Sequence, residues 1–200
     1  MSLVIRDAQP SDAPDVSRLI LLSGPSFLTA LLGPQAVDIV ETLVPRKHNL
    51  FSHEFTRVAL VGEKTAGMLV GCTGRQRNKV ALHTGRLLLQ RSRSRLLTTL
   101  RNLVRAEMLL TPPGKADFYI TSVAVYPQVR GRGVGTMLLL DAQSRARAAK
   151  CRRLVLDVEA ENRPALSLYR KLGFVESRHA SARIGGTEFT FVSMMRQIGC

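Results

Sequence analysis

The residues whose types and spacing carry the most chemistry are Arg130-Gly131-Arg132-Gly133-Val134-Gly135. They follow a run of β-favouring residues, Phe118 to Val125, and open an apolar-periodic stretch from about Gly133 to Lys150. A strand feeding a glycine-rich turn and then a helix makes an anion site. The first N–H groups of a helix have no partner within it and point outward, and the helix dipole adds partial positive charge there. Glycine lets backbone approach a phosphate with no Cβ between them, and Arg130 and Arg132 can add charge-assisted hydrogen bonds. The ligand these features suit is the pyrophosphate of a nucleotide-containing cofactor. Two common patterns do not fit. A P-loop ends in Gly-Lys-Ser or Gly-Lys-Thr, where this turn continues Val134-Gly135-Thr136. A dinucleotide fingerprint needs a further glycine where, counting from Gly133, the chain has Thr136.

The elements that must position this turn follow from periodicity and punctuation. Leu3 to Arg6 reads as a strand. Ser11 or Asp12 can cap a helix carrying Val16, Leu19 and Ile20, which Gly24-Pro25 breaks. A second helix is expected from about Pro34 to Val44, stopped by Pro45. Phe55 to Val61 and Thr65 to Cys72 form a hairpin pattern around Gly62-Glu63-Lys64. Arg86 to Leu110 reads as one long helix with a leucine stripe and a basic remainder that includes Arg91, Arg93, Arg95, Arg101 and Arg105. After the Phe118–Val125 strand and the turn's own helix come a strand from Arg153 to Val158 and a short helix from Asn162 to Leu172, closed by Gly173. Ser181 to Ile184 and Thr187 to Met195 flank Gly185-Gly186 as a last hairpin. This order implies one α/β (α+β) domain, residues 1–200, with a mixed central sheet flanked by helices.

Bulk properties agree. A chain of 200 residues, 45% hydrophobic and 22% charged, can bury a core. No apolar run reaches the length of a membrane span and the N-terminus has no secretion-signal pattern, so a cytoplasmic location is the default expectation. Cys72, Cys151 and Cys200 are widely spaced and form no metal-ligand pattern with His48, His53, His83 or His179, so reduced thiols and no metal are expected. The net charge of +14 would attract polyanions such as nucleic acid, an anionic surface or a phosphate-bearing ligand, and does not choose among them.

With Val123-Ala124-Val125-Tyr126-Pro127 before it, the turn matches Arg/Gln-x-x-Gly-x-Gly/Ala. Downstream lie Leu154 to Val158 and then Asn162-Arg163-Pro164-Ala165-Leu166-Ser167-Leu168-Tyr169-Arg170-Lys171-Leu172-Gly173-Phe174. In these stretches the chain resembles the GNAT superfamily of N-acetyltransferases, whose second signature is Asn-x-x-Ala-x-x-Leu-Tyr-x-x-x-Gly-Phe. The clear likeness covers residues 118–175, the expected cofactor-binding core; the first half agrees in element order only. The resemblance implies that acetyl-CoA is the co-substrate. Its pyrophosphate would lie on the N–H groups from Gly131 to Thr136, including those of Arg132, Gly133, Val134 and Gly135, with Arg130 beside them. The main chain at Val123 and Val125 would pair with the pantetheine arm, admitted by a splay between the central strand and the next. An N–H near Val123 would polarise the thioester carbonyl. Tyr169 matches the family's usual general acid. Asn162 can cap its helix, and in the family this position also contacts CoA.

The resemblance leaves the general base open: the central strand offers Tyr119, Thr121 and Ser122 and, at its start, Asp117, with Asp157, Glu159, Glu161, His53, Glu54, His83 and a water chain as alternatives, and none is assigned. The expected activity is acetyl transfer to a primary amine by direct attack, without a covalent intermediate. The alternative is a non-catalytic acyl-CoA sensor or a nucleic-acid-associated module on the same fold, suggested by the charge. The basic helical insertion, residues 84–110, departs from the family pattern. It reads as an amphipathic cover with a solvated basic face, or as a wall of the acceptor pocket, or as a docking surface for an acidic protein, RNA or membrane phosphates. It has no aromatic residue for base stacking. The amine acceptor is not legible.

Overall fold

The computed structural model describes residues 3–91 and 96–199. Its centre is a seven-stranded mixed sheet in the order β1-β2-β3-β4-β5-β7-β6. The strands are β1 (Leu3–Asp7), β2 (Thr56–Val61), β3 (Lys64–Thr73), β4 (Asp117–Val125), β5 (Arg153–Glu159), β6 (Val175–Ile184) and β7 (Thr187–Gln197). All neighbours are antiparallel except β4 and β5. Parallel strands need a crossover, and α6 (Val134–Ala148) supplies it.

Helices cover both faces. On one side lie α1 (Ala13–Ser23), α2 (Pro25–Leu32), α3 (Ala36–Leu43), α4 (Gly74–Arg91) and α5 (Leu96–Leu109). Their apolar residues join Val58, Met68, Val70, Ala124 and Phe191 in one core. On the other side, α6 and α7 (Arg163–Lys171) pack on Leu69, Ile120, Leu154, Leu156 and Val158. Alternation along the strands divides the two cores.

Most expected elements are present, with three corrections. Gly24-Pro25 ends α1, but the chain enters another helix at once, because Pro is well placed in a first turn and Phe27, Leu28, Leu31 and Leu32 bury a face. Asp12 stands at the N-cap of α1 without a side-chain cap bond; its carboxylate is held by Arg6 at 2.7 and 2.8 Å and by the Gln9 N–H. The long helix expected over Arg86–Leu110 is two helices, and the first starts at Gly74. They lie side by side, with the Arg77 guanidinium on both oxygens of Glu107 at 2.9 and 3.0 Å. The leucines therefore form two stripes meeting across a hairpin. Arg93, Arg95 and Cys200 lie outside the described residues. No single helix among the described residues is long and apolar enough to cross a membrane, and no cluster of three or more His, Cys, Asp or Glu among them could hold a metal ion.

Candidate active site between the parting strands

The site begins with a break in strand pairing. β4 and β5 pair only from Asp117–Arg153 to Ile120–Leu156. Beyond that point β4 continues to Val125 and β5 to Glu159, and a gap opens between them. The cause lies on the other side of β4. Against β3, Ile120 faces Gly71 and Ser122 faces Val70, so Thr121 is an extra, bulged residue. A bulge bends its strand and sharpens its twist, here at the last residue before the strands part. The Tyr126 N–H donates to the Ala66 carbonyl on β3 at 2.9 Å. Main-chain groups alternate sides along a strand, so those of Val123 and Val125 face the gap.

The glycine-rich turn sits at the end of this opening. Gly131 and Gly133 adopt φ of +75° and +80°, a region that side chains with a Cβ avoid. Gly133 is the N-cap of α6 and supplies no side-chain cap, so the first N–H groups of that helix remain available. Gly135 acts through space instead: a Cβ there would lie 3.3 Å from Cδ2 of Leu168, so the glycine lets α6 approach α7 closely. The Nε of Arg130 donates to the Val125 carbonyl at 3.1 Å, while Arg132 is exposed beside the turn.

α7 closes the other side. The Asn162 side chain accepts from the Ala165 N–H at 3.2 Å, so its capping role is realised. Tyr169 is buried with its ring 5.7 Å from that of Phe174, yet it lines the opening. Burial pushes its phenol up to about 12, and its hydroxyl has no hydrogen-bond partner among the described residues. A phenol in that state stays protonated near neutrality and can donate.

The opening is continuous with a cavity of about 830 Å³ that passes through the sheet plane. Its α7 side is lined by Asn162, Ala165 and Tyr169, and its far side by α2, α4 and α5. Two carboxylates from β5 reach it, in opposite circumstances. Asp157 accepts from the Tyr119 hydroxyl at 2.8 Å, the Thr111 N–H at 3.1 Å and the Ser193 hydroxyl at 2.5 Å. The Thr111 hydroxyl in turn donates to Ser193. Desolvation, followed by the charge and hydrogen bond of Asp157, holds the Tyr119 phenol well above its ordinary value, so it remains a donor. Arg77 lies with its guanidinium 5.7 Å from the Tyr119 ring centre. Asp157 thus ties the sheet to the end of α5.

Glu159 has no such partners. Its Oε1 is buried without a hydrogen bond, against Gly24 at the α1–α2 junction, where a Cβ would stand 3.4 Å away. Burial and then the like charge of Glu161 raise its carboxyl above the usual range. An unpartnered buried carboxylate oxygen is costly, and an ammonium entering the cavity would satisfy it.

The other base candidates lie elsewhere. Asp117 is at the closed end of β4, bound by Arg153 at 2.7 and 3.1 Å and by the Gly114 N–H at 2.7 Å. His53 contacts the Val44 carbonyl, Glu54 accepts from the His48 N–H, and His83 and Glu161 are exposed. Sequence reasoning missed Thr111, Ser193, Arg77 and Glu107, and named Tyr119 only as a polar residue of the central strand, not as a partner of Asp157. Their pairings span 30 to 82 residues, and no local pattern announces them.

Comparison with known proteins agrees with this architecture. The family model for the acetyltransferase (GNAT) family matches residues 38–174. An N-alpha-acetyltransferase of Sulfurisphaera tokodaii is 40% identical over 62 residues, 29% of this chain and 35% of that one. The chain spans about a third of the length of the curated relatives it matches. Among solved structures, an N-acetyltransferase from Staphylococcus aureus Mu50 superposes with a TM-score of 0.69 at 21% identity, over 96% of this chain and 100% of that one. The ribosomal-protein-S18-alanine N-acetyltransferase from Escherichia coli gives 0.61 at 14% identity, over 100% and 96%.

Proposed function

The chain belongs to the GNAT acetyltransferase family, and from that premise we propose that it transfers the acetyl group of acetyl-CoA directly to a primary amine in a ternary complex. The observation that carries this reading is the meeting, at one opening in the sheet, of an uncapped helix N-terminus, unpaired strand edge, a neutral phenol and an unpartnered carboxylate. The residues present suit acetyl-CoA. Its pyrophosphate would take the N–H groups of Gly131 to Thr136, with Arg132 adding charge. Its pantetheine arm would pair with Val123 and Val125 as an added strand, and Asn162 would flank it. When bound, acetyl-CoA supplies an activated thioester.

The chain's own residues then hold and move protons. The acceptor enters from the α2–α4–α5 side as an ammonium and gives a proton to Glu159. Asp157 is less suited, because its oxygens already accept three hydrogen bonds. The neutral amine attacks the carbonyl carbon, whose oxygen is met by the N–H near Val123. The C–N bond forms and the C–S bond breaks. The departing thiolate takes the proton of the Tyr169 hydroxyl, which recovers one from the proton the new amide nitrogen sheds. Positioning two reactants on opposite faces of one gap supplies much of the remaining acceleration.

Calorimetry tests the donor half: acetyl-CoA binds, and Gly133→Glu abolishes binding by placing a side chain and a negative charge at a left-handed N-cap. Absence of binding to the native chain overturns the reading. Tyr169→Phe is expected to lower turnover about 100-fold or more while leaving acetyl-CoA affinity within a few-fold; equal losses in both would assign Tyr169 to packing alone.

A further inference from the structure

The acceptor side of the cavity has its own chemistry, which narrows the amine. Its walls are Phe27 and Leu31 of α2, Leu82 of α4, and Leu100, Val104 and Met108 of α5. Several are unusually open for such residues: Leu82 is 80% and Met108 71% exposed. Large apolar side chains grouped in this way around a concave surface mark a binding site. The charges that reach the cavity are mostly spoken for. Arg77 and Glu107 neutralise one another through two hydrogen bonds, Asp157 is saturated by neutral donors, and Arg86 is exposed at the mouth. Glu159, which lines the same cavity as Tyr169, is left with an unsatisfied oxygen against Gly24. Of the hairpin's described basic residues, Arg77 and Arg86 line the cavity, while Arg91, Arg101 and Arg105 do not.

Resting on the acetyltransferase reading above, we propose that the acceptor is a primary amine on an extended apolar body, alkyl or aryl, with its ammonium at Glu159 and its body along the wall formed by α2 and the α4–α5 hairpin. A single positive charge is what Glu159 requires. A second charge farther along, as in a polyamine, would give up part of its hydration against apolar side chains and meet the cation of Arg86 and a Glu107 already paired with Arg77. The cavity's size suits a drug-sized body lying beyond the thioester. The helical pair between β3 and β4 is thus the specificity element.

The test is a series of n-alkylamines from propylamine to decylamine, with phenethylamine, spermidine and a peptide of apolar first residues, read as CoA release, alongside calorimetry with acetyl-CoA. The expected result is a kcat/KM that climbs about fourfold per added methylene until the cavity is filled, with spermidine no better than propylamine. Val104→Asp, at a half-exposed position that tolerates a charge, should cut kcat/KM for octylamine at least tenfold. It should leave acetyl-CoA affinity within a few-fold. A flat or falling dependence on chain length with acetyl-CoA bound overturns this inference alone. So does preference for spermidine, or turnover of the peptide but of no free apolar amine. Failure of the native chain to bind acetyl-CoA overturns the donor assignment and this inference with it.

Discussion

Glu159→Gln separates the two carboxylates of β5. The exchange is isosteric, so contact with Gly24 and the shape of the cavity persist, and only the capacity to take a proton and balance an ammonium is lost. A positioned base contributes about 100- to 10,000-fold, which is about 3–5 kcal/mol of transition-state stabilisation. The variant should therefore fall by that factor in kcat, with a smaller rise in acceptor KM and no change in acetyl-CoA affinity. The pH profile adds a second signature. Burial, and then Glu161, raises the carboxyl of Glu159. On the proposed role the ionised form is the active one, so native activity should be lost as pH falls through a value above the ordinary carboxylate range. That acidic limb should vanish in Glu159→Gln. The sign for stability is opposite: a carboxyl whose folded pKa is raised favours the fold at low pH and ceases to do so as pH rises through that value. At neutral pH the substitution should then cost no stability. The assay is thiol release against pH for both proteins, with urea unfolding in parallel. A variant within about threefold of native across the pH range would refute the assignment. An inactive but stable Asp157→Asn beside an active Glu159→Gln would move the base to Asp157.

Asp157→Ala should instead behave as a packing lesion. It leaves the buried hydroxyls of Tyr119 and Ser193 and the Thr111 N–H without their acceptor. At about 1–3 kcal/mol for each orphaned group, and with partial rehydration, the loss should be about 3–6 kcal/mol, large beside a typical domain stability of about 5–15 kcal/mol. A urea-derived loss under about 1 kcal/mol would show the network to be dispensable. Asn162→Ala removes the cap that accepts the Ala165 N–H and should cost about 1 kcal/mol, largely recovered in Asn162→Asp; equal urea midpoints for all three proteins would contradict the capping account.

The glycine-rich turn and the elements around it were legible because their constraints are local. A left-handed N-cap needs glycine, and Gly133 supplies it with φ +80°. A helix start needs a short polar acceptor, and Asn162 provides one. These requirements fall at fixed spacings, so the strand, the turn, α6 and α7 could be placed without coordinates. The acceptor half was misread for the converse reason. One leucine stripe from Arg86 to Leu110 serves equally for a single long helix and for two packed side by side. The choice is made by contacts such as Arg77 with Glu107. Gly24-Pro25 likewise marks a break and does not say whether a loop or another helix follows.

The sequence by itself determined the family, the order of strands and helices around the turn, and the left-handed glycines and Asn162 cap that shape it, since each rests on backbone conformation or on side chains a few positions apart. Only the tertiary structure decided where β4 and β5 part, which of three neighbouring acidic residues is left unpartnered in the cavity, and that the basic insertion turns an apolar wall toward the site. Those outcomes depend on which groups distant strands and helices leave desolvated or satisfied: Asp157 is saturated by residues as far as 46 positions away, while Glu159 meets the bare backbone of Gly24.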